Sequence, residues 1–380
     1  MTRRGQITLT VSTMIILSLG TLIYPALGSA MGTDFWKLPI PQQGEPPDGL
    51  LWPGASLSPS DCALCHPKQY QEWAGSLHAG AASPGLLGQL EAFDDEIQGM
   101  CLNCHAPRAE QQALLKEQRS EVQTDGVDCA SCHLRFHQRY GPRDTPLTPH
   151  GPVLAESLFW SSDFCAPCHQ FEPDDVAVNG KLLENTVKEW MSSAYARQDV
   201  SCQDCHMQDA SHHFRGIHDP DTLRQGLAFM VERTADGIIA TVSNQGAGHA
   251  LPTYITPRIR VVLENRARSA SSVAIIQRAM SWDEDTGWQE LFDTRLLPGG
   301  SRRVHLPLQA QDHATASVIV EPDADYYERV YPFLIEQLEG DISTAALRQL
   351  KAAHATAATS TYTAYTIQCG SAEKEDYRCE

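Results

Sequence analysis

Five copies of one pentapeptide, Cys-x-x-Cys-His, lie between residues 62 and 206. They are Cys62-Ala63-Leu64-Cys65-His66, Cys101-Leu102-Asn103-Cys104-His105, Cys129-Ala130-Ser131-Cys132-His133, Cys165-Ala166-Pro167-Cys168-His169 and Cys202-Gln203-Asp204-Cys205-His206. At this spacing two thiols can form thioethers with the vinyl groups of one haem, and the histidine that follows meets the iron as proximal ligand. Histidine makes up only 15 of 380 residues, so five such coincidences have chance odds on the order of one in ten million. Five Cys-x-x-Cys pairs do not divide into four-cysteine zinc sites, and zinc gives no reason for histidine at every fifth position. Thioredoxin-like dithiols need a βαβ context that the sequence does not show. The ten cysteines are therefore expected to carry five c-type haems, with His66, His105, His133, His169 and His206 as proximal ligands. Cys369 and Cys379 remain, and in an oxidising compartment they are expected to close a short disulfide loop.

Export fits this chemistry. Residues 1–30 read as a signal peptide: Arg3 and Arg4, a largely apolar stretch over 7–27, then Gly28-Ser29-Ala30 at a cleavage site. A periplasmic location follows, and an uncleaved N-terminal segment would be the one route to a membrane. The formal net charge is −18, before the haem propionates are added. That excludes nucleic acid as a partner and favours redox proteins with basic faces.

Residues 31–57 are rich in Pro and Gly and read as a linker or extended arm. Residues 58–225 form the pentahaem region, expected as short α-helices and loops wrapped around macrocycles that supply much of the buried apolar surface. Without them the region should not fold. Residues 226–322 contain β-like runs at 238–242, 258–263, 272–276, 303–306 and 316–320, which suggest a small β-sandwich. Residues 323–380 form a tail, with helices expected over 326–338 and 344–355.

A repeat is visible: Glu72-Trp73-Ala74-Gly75-Ser76-Leu77-His78-Ala79 matches Glu189-Trp190-Met191-Ser192-Ser193-Ala194-Tyr195-Ala196. Each copy follows one haem motif and precedes the next, so motifs one and two are expected to correspond to motifs four and five. Tyr195 is read as packing. Ten histidines lie outside the motifs. His78, between two motifs, is a candidate distal ligand, as are His150 in its Pro-rich loop and His249 between glycines. One or two of His212, His213 and His218 are further candidates. His137, one turn after His133, cannot reach the far face of its own haem. His305, His313 and His354 read as surface residues.

Trp-x-x-Ser-x-His after the first motif, Gly126-Val127-Asp128 before the third, Ser201 and Met207 around the fifth, and His212-x-Phe-x-Gly-x-His218 resemble the cytochrome c554 and c-prime type of multihaem cytochrome c. The resemblance covers about residues 58–225. The Gly248-His249-x-x-Pro252-Thr253 loop is similar to the β-domain appended in larger members. It implies electron transfer outside the cytoplasm, mostly bis-histidine haems in close pairs, and distal roles for His78, His150, His212 or His218, and His249. A fifth motif and the β-domain depart from the four-haem pattern.

Three functions are open at this point. The first is an electron conduit, which needs no bond-making residues. The second is a haem enzyme acting on a small nitrogen or sulfur compound at one five-coordinate iron. No Cys-x-x-Cys-Lys variant supports it, and the distal histidines appear numerous enough for every iron. In the third, the β-domain docks the cytochrome to a complex or assembles it with itself.

Overall fold

A computed structural model describes residues 35–50, 52–118, 125–283, 285–371 and Cys379. The expected signal peptide lies outside the described residues.

The motif region is built from short helices: α1 (Pro59–Cys62), α2 (Pro67–Ala74), α3 (Pro84–Leu90), α4 (Asp95–His105), α5 (Ala109–Gln118), α6 (Cys129–His133), α7 (Ala166–His169), α8 (Thr186–Met191), α9 (Cys202–His206) and α10 (Pro220–Gly226). Local chemistry starts them. Proline opens α1, α2 and α3, where its missing N–H costs nothing. Asp128 caps α6 and Ser201 caps α9, each in a reciprocal box with the residue three positions on. Two of the five haem motifs therefore carry their own helix-start signal. Small strands β1 (Leu134–Arg135), β2 (Gln138–Gly141) and β3 (Val153–Ala155) form one sheet, and β4 (Ala177–Val178) pairs with β5 (Lys181–Leu182).

The aliphatic core here is small: Ala82, Leu87, Leu90, Leu102, Ala106 and Leu115. The rest of the interior is one cavity of about 3410 Å³, several times the roughly 300–1,000 Å³ of a single small-ligand pocket. The segment expected as a linker or arm packs as an arm from Phe35 onward. The Arg135 guanidinium lies 4.1 Å over the Phe35 ring and donates to the Phe35 carbonyl at 2.7 Å. Ile40 is fully buried.

The β-domain is a sandwich of two antiparallel sheets. One has the order β12 (Ser301–Pro307), β7 (Gly237–Asn244), β6 (Leu227–Thr234). The other has the order β14 (Tyr362–Cys369), β13 (Ala314–Glu321), β8 (Arg258–Asn265), β9 (Ala270–Ile276). Strict alternation of burial along β13 sends Ala314, Ala316, Val318 and Val320 inward. The hairpin β10 (Arg278–Asp283) with β11 (Gly287–Asp293) stands beside it. Most of the chain's buried aliphatic residues belong to this one core.

The tail differs from expectation in one respect. A π turn at Tyr326–Val330 leads into α11 (Tyr331–Leu338) and α12 (Thr344–Ala357), as the helical pattern predicts. The chain then returns to the sandwich as β14, which pairs with β13. Thr363, Thr366 and Gln368 make the exposed face of this edge strand polar, which hides it from a hydrophobicity reading. Cys369 and Cys379 are joined by a disulfide.

One ion pair ties the motif region together. Arg108 donates to both oxygens of Asp128, with Nε at 3.2 and 3.0 Å, and the two residues are 6 % and 2 % exposed. Asp128→Ala would leave the buried Arg108 guanidinium with only Glu110, 3.8 Å away, and remove the α6 cap. The expected cost is about 3–5 kcal/mol, measured as the denaturation midpoint of the haem-loaded protein. An unchanged midpoint would show the pair to be dispensable.

Candidate haem sites

All ten motif cysteines and all five motif histidines line the large cavity. Four of the five motif histidines face a second imidazole across it. The ring centres of His66 and His150 are 6.3 Å apart, those of His169 and His78 6.2 Å, those of His133 and His212 6.3 Å, and those of His206 and His249 6.3 Å. A first-row metal binds an imidazole nitrogen at about 2 Å, with the ring centre roughly 1 Å farther back, so two axial rings stand about 6 Å apart. Each gap therefore matches one iron between two histidines.

The other ring nitrogens fit the same arrangement. Nδ1 of His105, His133 and His206 meets the carbonyls of Ala81, Tyr140 and Arg215 at 2.7, 2.8 and 2.8 Å. Nδ1 of His150, His212 and His249 meets Thr148 Oγ1, the Ala210 carbonyl and the Ala250 carbonyl at 2.7, 3.0 and 2.9 Å. With Nδ1 engaged, Nε2 is left for a metal, and the ring orientation is set. Burial holds His78, His133 and His169 down at about 4, and it lowers His105 and His249 as well. The buried imidazoles are thus neutral near pH 7 and offer a lone pair. Among the described residues no three His, Cys, Asp or Glu side chains gather as a metal-ion cage. Opposed pairs beside paired thiols fit a flat macrocycle carrying its own iron.

His105 is the exception, because no imidazole pairs with its ring among the described residues. Tyr326 and Tyr331 of the tail, stacked at 5.1 Å, line the cavity near this motif. The Tyr326 phenol lies close enough to Cys101 to be pushed upward by it, after burial itself. Of the alternatives at 212–218, the structure sets His212 across from a motif histidine. His218 also lines the cavity, but its Nε2 is paired with Asp323 at 3.1 Å and its ring meets no motif histidine among the described residues. His137 bonds the Gly44 carbonyl at 3.0 Å instead.

The repeat has a clear structural basis, and its register differs from the sequence expectation. Trp73 Nε1 donates to the Val127 carbonyl at 2.8 Å, and Trp190 Nε1 donates to the Val200 carbonyl at 2.9 Å. Val127 N–H donates to the His78 carbonyl at 2.9 Å, and Val200 N–H to the Tyr195 carbonyl at 3.1 Å. Glu72 accepts from His212 N–H, and Glu189 from Ala250 N–H, both at 2.9 Å. Motifs one and three thus correspond to four and five. Motif two, the one without an opposing histidine, sits in the insertion between them. The indole of α2 reaches across 54 residues, so chain order alone pairs the wrong motifs. Gly126, at φ +59°, lets the chain pass here: a Cβ would meet the His78 and Ala79 carbonyls.

The motifs also touch one another. The side chains of Cys129 and Cys62, of Cys168 and Cys104, and of Cys165 and Cys202 lie close enough to shift one another's ionisation. Cys132 is near enough to Cys165 and Cys168 to oppose their ionisation. The first motif thus adjoins the third, and the fourth adjoins the second, third and fifth. Sequence reasoning missed Glu72 and Glu189, which hold distal loops, and Tyr254, whose hydroxyl meets His169 Nδ1 at 3.0 Å. The conserved-looking spacing of the two glutamates within the repeat was the available signal for them, and Tyr254 had none.

His249→Ala is expected to turn one low-spin ferric signal high-spin and leave the others unchanged in electron paramagnetic resonance. An unchanged spectrum would show that the β-domain ligates no iron.

Residues 61–134 match the family model of cytochrome c554 and c-prime. No curated protein matches the chain. Among solved structures, a penta-heme cytochrome c552 from Thermochromatium tepidum aligns over 80% of this chain and 96% of its own, at 19% identity and a TM-score of 0.53. The resemblance carried by the motifs therefore holds: the chain is similar to multihaem cytochromes c of the c554 and c-prime type, and it shares the fold of that penta-heme cytochrome c552.

Proposed function

We propose that this protein carries electrons between redox partners outside the cytoplasmic membrane, through five c-type haems held by the ten motif cysteines. The observation that carries this reading is the set of four facing imidazole pairs, each at the separation of one iron. When bound, haem supplies the one-electron couple and a conjugated edge through which electrons enter and leave. The chain's own residues do the rest. The thiols fix each site where cofactor loss would be irreversible. Paired imidazoles favour a six-coordinate, low-potential centre that changes little in shape between oxidation states. The contacts among motifs bring the sites within reach of one another without protein motion.

The disulfide supports an oxidising compartment and so a periplasmic location. The acidic surface suits transient partners with basic faces. Among the described residues no helix is long and apolar enough to cross a membrane.

One observation favours a second reading at a single site. His105 lacks an opposing histidine, so the second iron would keep an open face for a small nitrogen or sulfur compound. The two readings separate in one experiment. A pyridine haemochrome assay should count five haems, and electron paramagnetic resonance should show four low-spin ferric centres and one high-spin. Cys101→Ala with Cys104→Ala should remove the high-spin signal and leave four haems. A high-spin signal that moves on adding nitrite or hydroxylamine favours chemistry at that iron, and one that ignores them favours conduction alone. A colourless mature protein would refute both.

A further inference from the structure

The partner of His169 is unlike that of any other motif histidine whose Nδ1 bond is defined. His105, His133 and His206 meet backbone carbonyls. His169 meets the Tyr254 hydroxyl at 3.0 Å. With Nε2 turned toward His78, Nδ1 carries the proton and donates, so the phenolic oxygen accepts. The carboxylate of Glu184, a residue 7 % exposed, lies close enough to the phenol to push it upward, after burial itself. Glu184 Oε1 also accepts from Thr186 Oγ1 at 2.6 Å. The result is an imidazole bonded to a phenol with a buried carboxylate beside it, at the motif that adjoins the second, third and fifth.

We propose that Tyr254, backed by Glu184, is a positioning residue that gives the fourth haem a reduction potential of its own. The proposal rests on the reading that the fourth motif holds a haem. An acceptor on Nδ1–H makes the imidazole more electron-rich, which stabilises ferric iron and lowers the potential. At the other defined motif sites the acceptor is a backbone carbonyl, so a phenol beside a buried carboxylate sets this site apart. Burial pushes Glu184 up to about 7, so mildly alkaline conditions charge it.

Tyr254 is also held independently of His169. Its loop, between β7 and β8, is fastened to α8 and the hairpin. Thr253 Oγ1 bonds Thr186 Oγ1 at 2.6 Å, and the Thr253 carbonyl accepts from Arg295 at 3.0 Å. Five residues earlier the same loop carries His249, which faces the fifth motif. One β-domain loop thus addresses two neighbouring sites.

The test is a potentiometric titration of the haem-loaded full chain under mildly alkaline conditions, followed by optical and paramagnetic signals. Tyr254→Phe keeps the ring and removes the acceptor. It should raise one midpoint of the five, by about tenfold in the reduction equilibrium, or about 59 mV for one electron. The haem count and low-spin signals should be unchanged. Glu184→Gln keeps the shape and removes the charge, and should raise the same midpoint by less. It also serves if the tyrosine variant does not mature. Five unchanged midpoints would overturn the proposal, and so would five that shift together, which marks general loosening. A wild-type haem count without the fourth site would instead sink the attachment reading on which it rests.

Discussion

A gap of just over 6 Å between two imidazoles, built four times, is the constraint around which this molecule is organised. Each gap needs one ring delivered by a motif helix and another delivered by a loop that is remote in sequence. Neither ring can wander, because Nδ1 is tied to a carbonyl or hydroxyl in most of them. The short helices, the caps on α6 and α9 and the tryptophan clamps all serve that placement. Little aliphatic core backs them. The interior of the motif region is instead a large cavity lined by the motif cysteines and histidines.

The β-sandwich is a working part of this arrangement. It has the aliphatic core that the motif region lacks, and it lends that rigidity to the loop bearing His249 and Tyr254. Glu189 on α8 accepts from Ala250 and pairs with Arg295 at 3.3 Å, so helix, loop and sheet are joined at one point. A ligand on a loop is precise only when the loop is anchored on both sides. The tail has a parallel role at the other end of the cavity, where α12 packs on α3 and the stacked tyrosines approach the second motif.

The repeat explains which site is the odd one. Trp73 with Glu72 and Trp190 with Glu189 perform the same two tasks, holding the backbone before a motif and holding a distal loop. Motif two falls outside both copies and is the motif without an opposing histidine. The insertion brings an attachment sequence, and among the described residues no imidazole faces its histidine. The adjacency of the fourth motif to three others gives the cluster a branch point rather than a line in chain order.

Much was legible from the residues alone, for a physical reason. Attachment chemistry is local: thiol, thiol and imidazole must sit within five residues, so the five sites and their proximal ligands stand in plain view. Short β-branched and aliphatic runs likewise made β7, β8, β9, β12 and β13 legible, although in β9 the apolar Val273 and Ile275 point outward. Distal ligation is not local. The partners of His66 and His133 lie about eighty residues away in the chain, and only folding could choose His212 over His218 or show that His105 faces no imidazole. The polar strand β14, the true register of the repeat and the bond between His169 and Tyr254 were invisible for the same reason. Each depends on groups that meet across the cavity or across a sheet, and no short-range pattern records where a chain returns.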